Sequence, residues 1–470
     1  MKKIYISLVL FNSIYSFSQC FTSVNGKRLH VTALKSDGTL WGWGNNNNSE
    51  LNNTTPYPFI EQTPIQLGTD TNWQKTASGT NNTFAIKTNG TLWARGANSR
   101  GSLGIGTTAI YSPVYLQIGT ASWKEISSAS GHTVGIQTNG TLWAWGRNDY
   151  NQVGNNTCCS DVLAPVQIST DTDWAKIDTS IWGFTMALKT NGTLWGWGKN
   201  QGAFGDSMTT NLPVPTQLST DIDWTEISTL SEQILMLKNN GTLWVFGGGG
   251  SGELGLGSGV STTLAPLQLG TDTWKSVAGG FFTSFAVKTD GTLWAWGRND
   301  EGQLGLGDTT NRNIPTQIGT DSNWTKVICG ADHTIAIKND GTAYAWGLNY
   351  NASTTLGTYQ PGDGIYTPVL LPTAMNGVCA VLENETFNLT TTTVSISPNP
   401  AREQVNLVFS TALQNPSINI LDVTGKTVLT QNNTKLLNNT SINVAGLSKG
   451  LYLVVVKSEE NTSVEKLVVE

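Results

Sequence analysis

The chain has 470 residues, with 27 Lys and Arg against 33 Asp and Glu, a net charge of −6. Cations this sparse argue against a nucleic-acid partner, because neutralising phosphates needs clustered Lys and Arg. With 51 Gly, 18 Trp and only 13% charged residues, the composition points to many short strands joined by tight turns.

Residues 1–18 read as a secretory signal. Lys2 and Lys3 precede the apolar run "IYISLVLF", and the small-x-small pattern Ser16-Phe17-Ser18 places the cut before Gln19. The apolar run is too short to span a bilayer. The expectation is an exported protein without a membrane span in its mature chain.

From there to about residue 380 the chain repeats. The turn "[DN]GT" followed by an aromatic strand begins at Asp37, Asn89, Asn139, Asn191, Asn240, Asp290 and Asp340, a spacing of 49 to 52 residues. A period near 50 residues signals a solenoid or a propeller. Each period holds four strand candidates, for example "PLQL", "WKSVA", "TSFAVK" and "TLWAWG". Asp-Gly or Asn-Gly before the last of these predicts a two-residue type I′ hairpin. The "TLWAWG" strand is apolar on both faces, so neighbouring blades must cover it and its Trp pair reads as core. The last period runs on to "TPVLLP" (Thr367–Pro372) and the first begins late, at Phe21. This predicts a ring closed by one C-terminal strand joined to three N-terminal ones. By strand alternation, the "TD" and "NG" turns share one face. The "GxxHT"-side loops and the long loops after "WG" share the other.

"WGRNDEGQLGLGD" together with "CGADHTIAIKNDGT" resembles the repeat of the RCC1 (regulator of chromosome condensation) family, over about Cys20 to Cys379. The resemblance implies an all-β fold: a seven-bladed RCC1-like β-propeller over residues 19–380, here followed by a small C-terminal β-sandwich. Family members include an exchange factor for a small GTPase and a secreted bacterial inhibitor of β-lactamases, so the fold does not fix the function. An exported chain would not meet a cytosolic GTPase.

Residues 381–393 are a Thr/Asn-rich linker. Beyond it, "SPNP", "DVTGKTV", "LSKGLYLV" and a terminal "KLVV" resemble a type A C-terminal sorting domain of the type IX secretion system, over residues 394–470. That implies a Bacteroidetes-type bacterium, the type IX machinery as a partner, and passage through the periplasm to the medium or outer cell surface.

Five Cys in an exported chain permit disulfides. Ring closure brings the two ends of the propeller together, which predicts a Cys20–Cys379 bridge. Cys158 and Cys159 are adjacent and are either bridged or free. Cys329 takes a slot held elsewhere by Ala278 or Ser128 and reads as a small core residue. His30, His132 and His333 fall at one repeat position, so they read as structural ties rather than a metal site. The "TDTDW" turns mimic the start of a calcium loop but lack its later Gly and Glu; an Asx-turn is the simpler reading. No catalytic constellation, metal site or cofactor motif stands out, and the chain does not read as an enzyme.

Binding is therefore expected on the variable loops of the rigid ring. The candidates are the aromatics Tyr57, Phe59, Tyr111, Trp182, Phe281, Tyr350, Tyr359 and Tyr366. The expected role is recognition of a protein or glycan through one face. An adhesive surface scaffold, or a polysaccharide-acting enzyme, is the alternative.

Overall fold

The computed structural model describes residues 21–52, 60–129, 131–200, 204, 210–348, 368–379, 394–413, 416–422, 427–432, 437–457 and 462–470. The signal segment, the linker, Cys20, Tyr57, Phe59, Tyr350, Tyr359 and Tyr366 lie outside these, as does the side chain of Cys379. The chain divides into two compact units, Met1–Glu383 and Asn384–Glu470.

Among the described residues the first unit has three four-stranded and two seven-stranded antiparallel sheets, which read as seven four-stranded blades. Blade 1 is Phe21–Gly26, His30–Lys35, Leu40–Asn45 and Ile60–Gln66, paired in chain order. Blade 4 repeats it as Trp174–Thr179, Phe184–Lys189, Leu194–Gly198 and Leu212–Gln217. Tyr111–Ala129 and Thr262–Gly279 are long strands that leave one blade and enter the next, so blades 2 and 3, and blades 5 and 6, are continuous.

Two sequence expectations are corrected here. The first is ring closure. Val369–Cys379 pairs with the third strand of its own blade 7 (Tyr344 opposite Ala374, Gly347 opposite Val369) and is not donated to blade 1. The ring closes by packing instead. Phe21, Val24 and Trp43 of blade 1 share a core cluster with Ile335, Ile337 and Met375 of blade 7. The Ala331 amide also donates to the Arg28 carbonyl at 3.0 Å. The offset arises because the "PxQ" strand completes the blade before it rather than opening the next.

The second correction is the hairpin. In Lys35–Thr39 only Gly38 has positive φ, at 77°; Asp37 does not. Gly38 N–H donates to the Lys35 carbonyl and Lys35 N–H to the Thr39 carbonyl, both at 3.0 Å. The loop thus has three residues, a turn followed by a left-handed glycine. The Thr of "DGT" has its own task. Asp37 Oδ1 accepts from Thr39 N and Thr39 Oγ1, and Thr39 Oγ1 accepts from Trp41 Nε1. The same relay recurs at Asn139, Thr141 and Trp143.

The second Trp of the strand is the rivet between blades. Trp145, Trp197, Trp296 and Trp346 are fully buried. Each donates its Nε1 hydrogen to a loop carbonyl of the preceding blade: Ser102, Gln152, Glu253 and Gln303, at 2.8–3.0 Å. Blade 2 has Arg95 in this slot, and its Nε donates to Ser49 O at 2.8 Å. Lys27 reaches from blade 1 to blade 4, ion-paired to Asp178 at 2.7 Å and bonded to Ser127 of blade 3. One side chain thereby bridges the ring across its middle.

The second unit is the expected β-sandwich. A three-stranded and a four-stranded sheet enclose one core that includes Val405, Leu407, Ile418, Ile420, Val454 and Val456.

Candidate functional site

The turn face is repetitive. In blade 5 the Lys238 ammonium lies 4.7 Å and 4.9 Å from the ring centroids of Trp224 and Trp244. It also pairs with Asp221 at 2.7 Å and Asp223 at 3.1 Å. Lys189 does the same with Trp174, Trp195, Asp171 and Asp173. These are the carboxylates of the "TDxDW" turns, so a lysine ammonium occupies the place where the sequence mimics a calcium loop. Sequence reading missed this role, although Lys precedes the hairpin turn in six of seven copies.

His30 and His132 are buried ties, whereas the buried His333 has no partner at Nε2. His30 Nε2 meets Thr83 Oγ1 at 3.0 Å and His132 Nε2 meets Thr185 Oγ1 at 3.1 Å, each partner lying on the next blade. Burial, chiefly, holds the imidazoles neutral: it lowers His30 and His132 to about 3 and His333 to about 4. Among the described residues, no group of three His, Cys, Asp or Glu is placed to hold a metal. Cys329 is buried, as expected, and burial pushes its thiol up. Cys158 and Cys159 are bridged to each other, with Cα atoms 3.7 Å apart.

The loop face varies in sequence but its loops share a frame: Asn98 and Asn299 accept from Leu103 N and Leu304 N and donate to the Thr107 and Asp308 carbonyls. The loop after the third "WG" is built on Asn148. Its Oδ1 accepts from Val153 N at 3.1 Å, its Nδ2 donates to Thr157 O at 2.6 Å, and Val153 is buried beneath. This frame holds up Arg147, Asp149 and Tyr150. Asp149 takes a bidentate contact from Arg147, at 2.6 Å from Nε and 2.9 Å from Nη2. It takes a third bond from Arg100 Nη2 at 2.8 Å. The bond from Arg147, above all, holds the Asp149 carboxyl down at about 2. Arg100, in a left-handed conformation with φ 65°, also pairs with Asp161 at 3.3 Å.

From Arg147 a continuous ridge crosses to blade 4. The Arg147 guanidinium lies 5.5 Å from the Tyr150 ring centroid. The Lys199 ammonium lies 5.3 Å from the same ring and 5.4 Å from that of Trp182. Trp182 is fixed by its Nε1 bond to Ser231 Oγ at 3.1 Å, yet remains 37% exposed; Tyr150 is 38% exposed. At one end Arg100 and Arg147 border a cavity of about 410 Å³ with Asn81, Asn82, Ser99 and Ser102. At the other, Trp182 and Lys199 border a smaller one of about 90 Å³ with Glu232.

Of the expected binding aromatics, then, Trp182 belongs to this ridge. Tyr111 is exposed at the start of its long strand, beside Ile110. Phe281 packs on Phe282 with ring centroids 4.3 Å apart. Sequence reading missed Arg100, Arg147, Tyr150 and Lys199. The available signal was one substitution: the third loop reads "WGRNDY" where the sixth reads "WGRNDE".

An all-β ring of repeated four-stranded blades with a variable loop face defines a repeat β-propeller. Matches to the regulator of chromosome condensation (RCC1) repeat cover residues 139–188 and 290–337, and, in a second form of that repeat, 21–50, 123–152, 274–303 and 324–352. A secretion system C-terminal sorting domain matches residues 395–470. The chain is therefore an RCC1-repeat propeller that carries a type IX sorting domain, which marks it for secretion or the cell surface. Among solved structures it is similar to human WBSCR16, with 19% identity, TM-score 0.61, and coverage of 68% of this chain and 88% of that one. It is likewise similar to Prp20p from Saccharomyces cerevisiae, with 17% identity, TM-score 0.62, and coverage of 81% and 90%. Identities this low speak for the fold alone. No curated protein sequence matches the chain.

Proposed function

We propose that the protein is a non-catalytic receptor of the cell surface or medium that holds a protein or glycan on the loop face of its propeller. The observation that carries this reading is the Arg147–Tyr150–Lys199–Trp182 ridge, in which two half-exposed aromatic rings are held by neighbouring blades beside fixed cations. Exposed aromatic and Arg side chains on a rigid frame lose little entropy on binding and supply much of its energy. The cluster offers no general base poised against a nucleophile, which fits a binding rather than a catalytic role. The aromatic loops of blades 7 and 1, with Tyr57, Phe59, Tyr350, Tyr359 and Tyr366, belong to the same face in this reading. Sorting-domain recognition by the type IX machinery accounts for how the propeller reaches its ligand.

The test is capture from surface and culture extracts by the full exported chain, beside a Tyr150→Ala/Trp182→Ala double variant. A partner retained by the parent and lost by the variant is the expected result. Equal capture by both would move binding off the ridge. Empty capture by both would favour an adhesive scaffold.

A further inference from the structure

The charges of the ridge are matched among themselves. Arg100 and Arg147 are engaged by Asp149 and Asp161, and Lys199 shares its small cavity with Glu232. Such a region has little net field to attract an anion over distance. What it offers is short-range and directional. The larger cavity is bordered by two guanidinium forks, by Asn81 and Ser99, and by Asn82 and Ser102, which are buried and bonded to each other, with no large apolar side chain in its wall. A peptide anchor takes the opposite kind of pocket, a dry apolar one that desolvates an aromatic or aliphatic side chain. Mixed donors and acceptors at fixed positions suit a ligand carrying many hydroxyls, since each can donate to one group and accept from another. Tyr150 and Trp182 supply what remains, flat apolar faces whose polar ends are already occupied or wet.

Resting on the binding reading above, we infer that the ridge is a glycan site for uncharged sugars: one residue sits in the Arg100–Arg147 cavity, and the chain runs over Tyr150 and Trp182. Arg147 is the shared wall, since it borders the cavity and faces the Tyr150 ring. The cavity of about 410 Å³ lies in the range of small-molecule sites. The pyranose rings stack their C–H faces on the two aromatics, while the paired arginines spend their remaining N–H groups on hydroxyls.

The experiment is affinity electrophoresis of the full exported chain through gels containing soluble mannan, xyloglucan or mixed-linkage β-glucan, with polygalacturonate as the charged comparison. At least one neutral polymer is expected to retard the protein. Retardation should persist at 0.5 M salt, because little of it is Coulombic; roughly a Debye length of 4 Å applies there. Trp182→Ala and Tyr150→Ala should each weaken the apparent affinity by about tenfold, near 1.4 kcal/mol. Tyr150→Phe should retain it, and so should Ile222→Ala, exposed in a "TDxDW" turn on the other face. Thermal melting of each variant separates loss of binding from loss of fold. Retardation by polygalacturonate alone, or by none of the polymers, overturns the inference. Retardation that is unchanged in the Trp182→Ala/Tyr150→Ala variant does so too. A protein captured through the same two residues while every glycan fails would leave the binding reading standing and remove only the glycan.

Discussion

The two faces of the propeller follow opposite rules. On the turn face, Lys87, Lys189, Lys238, Lys288 and Lys338 each pair with an Asp of the adjoining turn, at 2.7–2.8 Å. All five also lie over two aromatic rings. On the loop face, Arg147 and Arg298 share one contact, each pairing with the Asp two residues on at 2.6 Å, but the rest of the company of the cations that follow "WG" differs. Arg147 faces Tyr150, Lys199 lies between Tyr150 and Trp182, and Arg298 pairs with Asp300 and Asp332. A contact repeated in five of the seven blades serves the ring. A contact made once is free to serve a ligand.

The sharpest way to break this contrast is to remove a rivet that supports the variable face. Trp197 is fully buried and its indole N–H is bonded to Gln152 O, two residues from Tyr150. Trp197→Ala leaves a large cavity and an unpaired carbonyl, at a cost of about 3–5 kcal/mol. Urea unfolding should show that loss, and ligand retention should fall with it because the Asn148 loop loses its floor. A stable variant with intact binding would mean that the rivets are not what positions the face.

The next effect concerns pH. Glu50 is fully buried, its Oε2 accepts from Asn48 N at 2.6 Å, and its Oε1 has no partner. Burial, the dominant cause, raises its carboxyl from 4.5 to about 7. A raised carboxyl binds its proton more tightly in the folded chain than in the unfolded one. Its stabilising contribution is therefore full below pH 4.5 and lost as pH rises through about 7. Blades 3 and 6 carry Gln152 and Gln303 in this slot, with the same backbone bond. Glu50→Gln should match the parent near pH 4 and exceed it at pH 8.5 by on the order of 2–3 kcal/mol. Paired denaturant titrations at the two pH values measure the difference. No gap at pH 8.5 would mean that Glu50 ionises without strain.

A smaller effect is expected on the turn face. Lys238→Met keeps the stem over Trp224 and Trp244 but removes the charge from both rings and from Asp221 and Asp223. Cation–π contacts and half-exposed ion pairs together contribute about 1 kcal/mol. The melting midpoint should fall by a few degrees, while capture by the loop face stays unchanged. Lost capture would show that the two faces are coupled.

Much of this division was legible before any coordinates. The repeat spacing, the four strands per period, the burial of Trp145 and Trp197, the grouping of turns on one face and the shared slot of His30, His132 and His333 all follow from pattern. What escaped was set by three-dimensional register. Which blade owns the "PxQ" strand depends on whether it pairs forwards or backwards, and both readings have the same sequence. The "DG" pair suits a two-residue or a three-residue hairpin alike, and the choice appears only in the φ of Asp37 and Gly38. The ridge needs Tyr150 of blade 3 beside Trp182 and Lys199 of blade 4, about 30 to 50 residues apart and joined only by blade-to-blade packing. Tyr57, Phe59, Tyr350, Tyr359 and Tyr366 remain candidates on that face in the proposed function.

The smallest effect belongs to the Cys158–Cys159 bridge. A disulfide stabilises a fold mainly by restricting the unfolded chain, and the restriction grows with the length of the loop it closes. Here the two cysteines are adjacent, so nothing lies between them to restrict. Both are exposed, in the loop that also presents Tyr150, and Cys159 N–H donates to Asn148 O. Cys158→Ser/Cys159→Ser should therefore unfold within about 0.5 kcal/mol of the parent, with or without reductant. If the pair shapes the loop face, ligand retention changes while the melting midpoint does not. If the midpoint falls by several degrees instead, the loop is part of the ring's architecture, and the line between a repeated frame and a variable face has been drawn one loop too generously.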